Sequence, residues 1–123
     1  MPKNAIHWFE IPTRDIQRAV RFYNRVLNTE MAAMDMMGCQ MAMFPCEQGV
    51  GVGGALVQHE QQAPAAQGTL VYLDGGDDLA VPLGKVEAAG GKVAMPKTSI
   101  GEHGFCAMFI DTEGNRVGLH SMK

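Results

Sequence analysis

The feature that most constrains this chain is that it resembles itself. From Asp15 to Leu27, apolar or small residues fall at Ile16, Ala19, Val20, Tyr23 and Leu27, and an offset of 63 lands on Leu79, Pro82, Leu83, Val86 and Gly90. Both sets carry the i, i+3, i+4, i+7 stripe of an amphipathic helix. Ala42-Met43-Phe44 recurs as Ala107-Met108-Phe109 at an offset of 65, and Val52-Gly53 recurs as Val117-Gly118 at the same offset. A loop easily absorbs the two additional residues. A duplicated supersecondary unit decides the whole fold, so it governs how every other segment is read.

Each half reads as strand, helix, then three strands: about 5–12, 15–27, 30–36, 40–45 and 52–58, then 69–74, 78–89, 92–96, 105–110 and 116–121. Thr13 or Asp15 can cap the first helix and Asp77 or Asp78 the second, which Gly90-Gly91 ends. The second helix is burdened by Pro82, tolerable only near the first turn, and by Gly84, which costs about 1 kcal/mol relative to Ala. Asp111-Thr-Glu-Gly-Asn115 is a turn signal between the last two strands. The content of 15 Gly and 6 Pro suits many short elements, and 46% hydrophobic residues suffice for a core.

A single βαβββ unit covers one sheet face with its helix and leaves the other free. The expected fold is therefore α+β: two βαβββ repeats forming a curved mixed sheet around a trough-like cavity. The chain is expected to be a single domain, 1–123, with repeat one at about 5–58, a surface linker at about 59–68 and repeat two at about 69–121. A net charge of -3 with no basic stripe argues against nucleic acid as partner, and no apolar run approaches the roughly 18 residues of a membrane span. The opening MPKNAIHWFEI lacks the apolar stretch of a secretory signal. Cys39, Cys46 and Cys106 are odd in number without C-x-x-C spacing, so buried free thiols in a reducing, cytoplasmic compartment are expected.

The stretch Trp8-Phe-Glu-Ile-Pro-Thr-Arg-Asp-Ile-Gln-Arg-Ala-Val-Arg-Phe-Tyr resembles the vicinal oxygen chelate superfamily of glyoxalase I, bleomycin and fosfomycin resistance proteins and extradiol dioxygenases. Gly90-Gly91-Lys-Val and Ala107-Met-Phe-Ile-Asp-Thr-Glu-Gly-Asn-Arg-Val-Gly-Leu resemble its glycine pair and closing hairpin. The resemblance covers nearly the whole chain. It implies a homodimer and a divalent metal at four strand positions, two per half, normally His or Glu. Here they fall at Trp8, Gly53, Val71 and Gly118. An ion needs three or four N, O or S donors from the protein, so no metal or other cofactor is expected. A relocated site using Glu10, His120 and a third residue is the alternative.

Side chains alternate along a strand, so residues two apart from those positions share the cavity face. This nominates Glu10, Thr69, Leu73, Arg116 and His120, and turns Phe9, Ile11, Val117 and Leu119 toward the helices. Glu10 and His120 are the acid/base candidates; the alternative has Glu10 paired with Arg116 or a surface Lys and His120 solvated. His103, in a glycine-flanked loop, reads as a rim over a ligand or as an exposed turn residue. His7 and His59 read as surface residues.

Met31, Met34, Met36, Met37, Met41 and Met43 crowd one short stretch. Thioethers adapt to varied apolar ligands, and equally fill a core or a subunit interface. The expected ligand-binding set is Trp8, Met41, Met43, Gly53, Thr69, Val71, Leu73, His103, Phe105, Arg116 and Gly118. The expected function is binding of a small organic molecule; the alternative is a lyase, isomerase or dioxygenase, metal-free or with a relocated metal.

Overall fold

The structure, a computed structural model, describes residues 4–123, so the first three positions of the expected domain lie outside the described residues. The elements are β1 (Trp8–Pro12), α1 (Ile16–Leu27), β2 (Ala33–Met36), β3 (Cys39–Met43), β4 (Gly53–Gln58), β5 (Tyr72–Asp74), α2 (Ala80–Leu83), β6 (Lys92–Ser99), a 3-10 turn (Gly101–His103), β7 (Phe105–Ile110) and β8 (Arg116–Ser121). The strands form two four-stranded mixed sheets, β1-β4-β3-β2 and β5-β8-β7-β6. In each, the first strand of a half runs parallel to its last. The intervening helix and hairpin supply the long crossover that parallel pairing requires.

Helix α1 begins where Asp15 accepts a hydrogen bond from the Arg18 amide, and ends at Asn28 in the left-handed conformation. Thr13, the other candidate cap, instead donates its hydroxyl to the Val57 carbonyl. The α1 stripe is buried, and Phe22 and Tyr23 both lie against Phe109 of β7, with ring centroids 5.7 and 6.2 Å away. One apolar core therefore joins the halves through α1. Phe9, Ile11, Val117 and Leu119 belong to it or pack on it, as the strand alternation requires.

The second helix is shorter than expected. Pro82 has no N–H to return to Asp78, and after Gly84 the bonds tighten to i−3, from Lys85 to Pro82 and from Val86 to Leu83. The N-cap is Leu79, with no side-chain capping bond, in place of the expected Asp77 or Asp78; Asp78, one residue earlier, accepts from the Ala80 amide at 2.9 Å. Strand β6 runs past its expected end to Ser99, with irregularities at Val93/Met95 and Met95/Thr98; the second contains Pro96, which cannot donate to a ladder.

The Asp111–Asn115 turn clamps the halves together. Asp111 accepts from the Tyr23 hydroxyl at 2.7 Å, and from the Glu113 and Asn115 amides. Glu113, whose side chain is fully covered, accepts from the Arg14 and Asp15 amides, both at 2.8 Å, and from Arg18 Nε at 2.7 Å. Asn115 donates to the Pro12 carbonyl. The turn thus satisfies amides at the start of α1 that the helix itself leaves unpaired. Burial opposes the Glu113 charge, but Arg18, the two amides and the Thr112 hydroxyl together hold its carboxyl below the usual glutamate range. Burial foremost, then the Asp111 carboxylate, pushes the Tyr23 phenol well above its ordinary value.

Candidate functional site

The faces of the two sheets turned away from the core carry the candidate site. In the first sheet Trp8 lies opposite Gly53 and Glu10 opposite Ala55, while Met43 pairs with Ala55 and Met41 with Val57. Trp8, Glu10, Gly53, Met41 and Met43 therefore share one face. A Cβ added to Gly53 would stand 3.4 Å from the Trp8 indole and 3.0 Å from Cys46 Sγ, so the ring rests against bare backbone. The second sheet repeats the construction: Tyr72 lies opposite Gly118, and a Cβ there would overlap the Tyr72 ring. Each corner is thus an aromatic ring on a glycine.

Two candidates of the second half, Val71 and Leu73, are corrected by one register step, and a third, Thr69, lies before the strand. Tyr72, and not Val71, is the counterpart of Trp8, because both pair with the corresponding glycine of the last strand. Val71 packs against the core, and Leu73 is 7% exposed and pairs with Leu119 inside it. Thr69 is exposed and precedes β5. A shift of one residue exchanges the two faces of a strand, which moves Val71 and Leu73 inward and Tyr72 and Asp74 outward. Phe105 is also on the core side, its ring 4.5 Å from Lys97 Nζ; Cys106 and Met108 take the outward positions of β7. Of the expected buried thiols only Cys106 is buried; Cys39 is half-buried and Cys46 exposed.

Glu10 and His120 lie on different sheets, and no hydrogen bond among the described residues joins them. Glu10 accepts from Trp8 Nε1 at 3.3 Å and from Gln62 Nε2 at 3.4 Å, and among the described residues it pairs with neither Arg116 nor a Lys, the two partners the alternative reading offered. His120 is not free in solvent: Nε2 lies 2.7 Å from the His103 carbonyl oxygen. A carbonyl only accepts, so the neutral imidazole carries its proton on Nε2 and presents Nδ1 as the base. The His103 ring is exposed, and its backbone is what reaches the site. Arg116 and Gly118 share the outward face of β8 with His120.

Beside Trp8 is an open cavity of about 730 Å³, lined by first-half residues that include Gly53, Met43, Phe44 and Cys46. His7, read as a surface residue, is exposed at its edge. Within the methionine stretch, Met31 is buried, Met41 and Met43 are half-buried, and Met34, Met36 and Met37 are exposed. The four corner positions offer two glycine hydrogens, an indole N–H committed to Glu10, and one phenol. That set does not fit a divalent ion, which needs several N, O or S donors. Among the described residues no group of three or more His, Cys, Asp or Glu gathers elsewhere.

The pattern of the Glyoxalase/Bleomycin resistance protein/Dioxygenase superfamily matches residues 5–119. The chain belongs to this superfamily. Its fold is similar to that of a fosfomycin resistance protein, FosX, from Listeria monocytogenes, with TM-score 0.66, 12% identity, and coverage of 100% of this chain and 94% of that one. TnmS3, an antibiotic binding protein from Streptomyces sp. CB03234, is similar at TM-score 0.65 and 22% identity, covering 100% and 99%. A glyoxalase I mutant from Zea mays reaches TM-score 0.70 at 18% identity, covering 94% of this chain and 46% of that one. At such identities the likeness establishes the fold alone. No curated protein sequence gives a significant match. No helix among the described residues is long and apolar enough to cross a membrane.

Tyr72 is absent from the residues expected at the site, Cys46 is expected only as a buried thiol, and Asp111–Asn115 only as a turn and not as a clamp. The signal for Tyr72 was present: an aromatic residue 64 positions after Trp8, with a glycine in each corresponding last strand.

Proposed function

We propose that this chain is a metal-independent small-molecule-binding member of the superfamily, cytoplasmic and homodimeric, that holds a planar, largely apolar guest against Trp8. The observation that carries the reading is the ring-on-glycine construction at both corners, which puts aromatic surface where an ion would need donors. Trp8 is 43% exposed and Tyr72 48%, so both rings have free area for stacking. The cavity beside Trp8 is within the size range of small-molecule pockets, roughly 300–1,000 Å³. The half-buried Met41 and Met43 supply adaptable contacts, and Glu10 a polar anchor. Exposed apolar residues on the outward faces, Trp8 and Tyr72 among them, favour a second copy as the cover that completes the trough. Two proteins of similar fold, one a fosfomycin resistance protein and one an antibiotic binding protein, support sequestration of a small organic toxin or metabolite.

The test is a thermal-shift screen of planar aromatic compounds with and without a chelator. A ligand that binds only the native state at 100 times its Kd stabilises by about 2.7 kcal/mol. The shift is expected to survive the chelator and to disappear in Trp8→Ala. A shift that needs added divalent metal, or that Trp8→Ala leaves intact, overturns the reading.

The orientation of His120 favours a second reading, a metal-free lyase, isomerase or dioxygenase-like enzyme in which Nδ1 takes a proton from the guest and the Glu10 carboxylate orients it. Under it, Glu10→Gln and His120→Ala would retain ligand affinity and lose turnover.

A further inference from the structure

The β2–β3 hairpin concentrates sulfur in a way that core packing does not explain. Met34 lies directly opposite Met41, and Met36 directly opposite Cys39. Met34 and Met36 are two apart on one strand, Cys39 and Met41 two apart on the other, so all four side chains leave the same face. Facing Cβ atoms in such pairs are about 4.5–5.5 Å apart, a gap that flexible thioether arms close. Met34 is 45% exposed and Met36 37%, so neither is core filling. Asp35 and Gln40 lie opposite each other on the reverse face, where the Gln40 amide donates to the Asp35 carboxylate. The hard donors of the hairpin are thereby sorted away from the soft ones.

The turn that sets this register is itself unusual. Met37 and Gly38 both have positive φ, 52° and 88°, in a two-residue connection where Asn-Gly is the favoured pair. A bulky residue in that conformation is disfavoured, yet the tight turn is what sets Met36 against Cys39.

We propose that this hairpin binds one soft monovalent cation, Cu(I) or Ag(I), through Cys39 and the thioethers of Met34, Met36 and Met41. Thiolate and thioether donors select Cu(I) over harder divalent ions, and three neutral sulfurs with one thiolate neutralise a single positive charge. On binding, the Cys39 S–H bond breaks, its proton passes to solvent, and the sulfur electron pair forms the S–Cu bond; no oxidation change occurs. In the free protein Cys39 Sγ lies 3.1 Å from the backbone carbonyl oxygen of Met36, the residue opposite it in the ladder. The hairpin shares its outward face, and Met41, with the first-half corner, while β4 stands between β1 and the hairpin and keeps the sulfur cluster off Trp8 itself.

The test is anaerobic titration of reduced Cys46→Ser protein with Cu(I) held as its bicinchoninate complex, so that the exposed Cys46 thiol does not contribute. One Cu(I) per chain should be withdrawn from the probe, with release of one proton. The Met36→Leu/Met41→Leu double variant should bind about tenfold more weakly or worse, and Cys39→Ser should lose stoichiometric binding, while circular dichroism melts stay close to the parent's at these exposed or half-buried positions. Ag(I) should compete and Zn(II) should not. Failure of the Cys46→Ser protein to withdraw Cu(I), or withdrawal that the methionine substitutions leave unchanged, overturns the proposal. Either result leaves the organic-ligand reading untouched, because that reading is scored on Trp8.

Discussion

Replacing Glu113 with Ala removes the acceptor that holds the start of α1 to the β7–β8 turn. Five donors converge on this carboxylate: the Arg14 and Asp15 amides, Arg18 Nε and Nη2, and the Thr112 hydroxyl. The two amides become unpaired in the variant, at about 1–3 kcal/mol each where they stay covered. The Arg18 side chain is 44% exposed, so its share is screened and worth about 1 kcal/mol or less. Glu113→Ala is therefore expected to lose about 3–4 kcal/mol, and Arg18→Ala about 1 kcal/mol. At about 4 °C per kcal/mol for a chain of this size, Tm should fall by about 12–16 °C and 4 °C respectively. Glu113→Gln, which keeps a carbonyl oxygen for the amides, should fall between them. The assay is urea unfolding at constant m-value, supported by thermal melts. Equal losses for Glu113→Ala and Arg18→Ala, or a Glu113→Ala loss below about 1 kcal/mol, would refute the assignment of the clamp to the amides.

The same turn sets the pH dependence. Because the folded state lowers the Glu113 pKa, its contribution is complete above the ordinary glutamate value of about 4 and is lost as pH falls through the lower folded value; unfolding measured against pH should show this acid slope, and Glu113→Gln should flatten it. Tyr23 is raised in the folded state, so stability should decline as pH climbs past about 10, and Tyr23→Phe should remove that decline. Two glycine substitutions should separate rigid from yielding neighbours. A Cβ on Gly91 would come 2.7 Å from the Ile110 carbonyl and from buried Phe22, so Gly91→Ala should lose about 1–3 kcal/mol by thermal melt. The nearest obstacle to a Cβ on Gly118 is the half-exposed Tyr72 ring, which must swing outward, so Gly118→Ala should lose less than Gly91→Ala.

The repeat made the architecture legible because helices and strands leave periods in the sequence, and both periods occur twice. Helix α1, its Asp15 cap, the closing turn and the inward set Phe9, Ile11, Val117 and Leu119 could all be read from residue type and spacing. The corner of the second half could not be placed by spacing, since the offset between halves grows from 63 at the helices to 65 at the last strands. With β5 only three residues long, an error of one position exchanged Tyr72 for Val71 and carried Leu73 to the wrong face. Leu73 beside Asp74 was the corrective signal: only the register that buries Leu73 against Leu119 leaves Asp74 outside. Glu10 and His120 were correctly placed on outward faces, but their partners, Trp8 with Gln62 and the His103 carbonyl, depend on loops that carry no period.

Trp8 is the only tryptophan in the chain and stands at the corner in question, so its fluorescence reports that corner alone. Titrating the dialysed protein with Ni(II), Zn(II), Mn(II) and Fe(II), with retained metal measured in parallel, asks directly whether the aromatic corners have displaced divalent chemistry. No saturable emission change and no stoichiometric divalent ion are expected. One ion per chain, bound with a saturating change in Trp8 emission and lost in Tyr72→Phe, would contradict it.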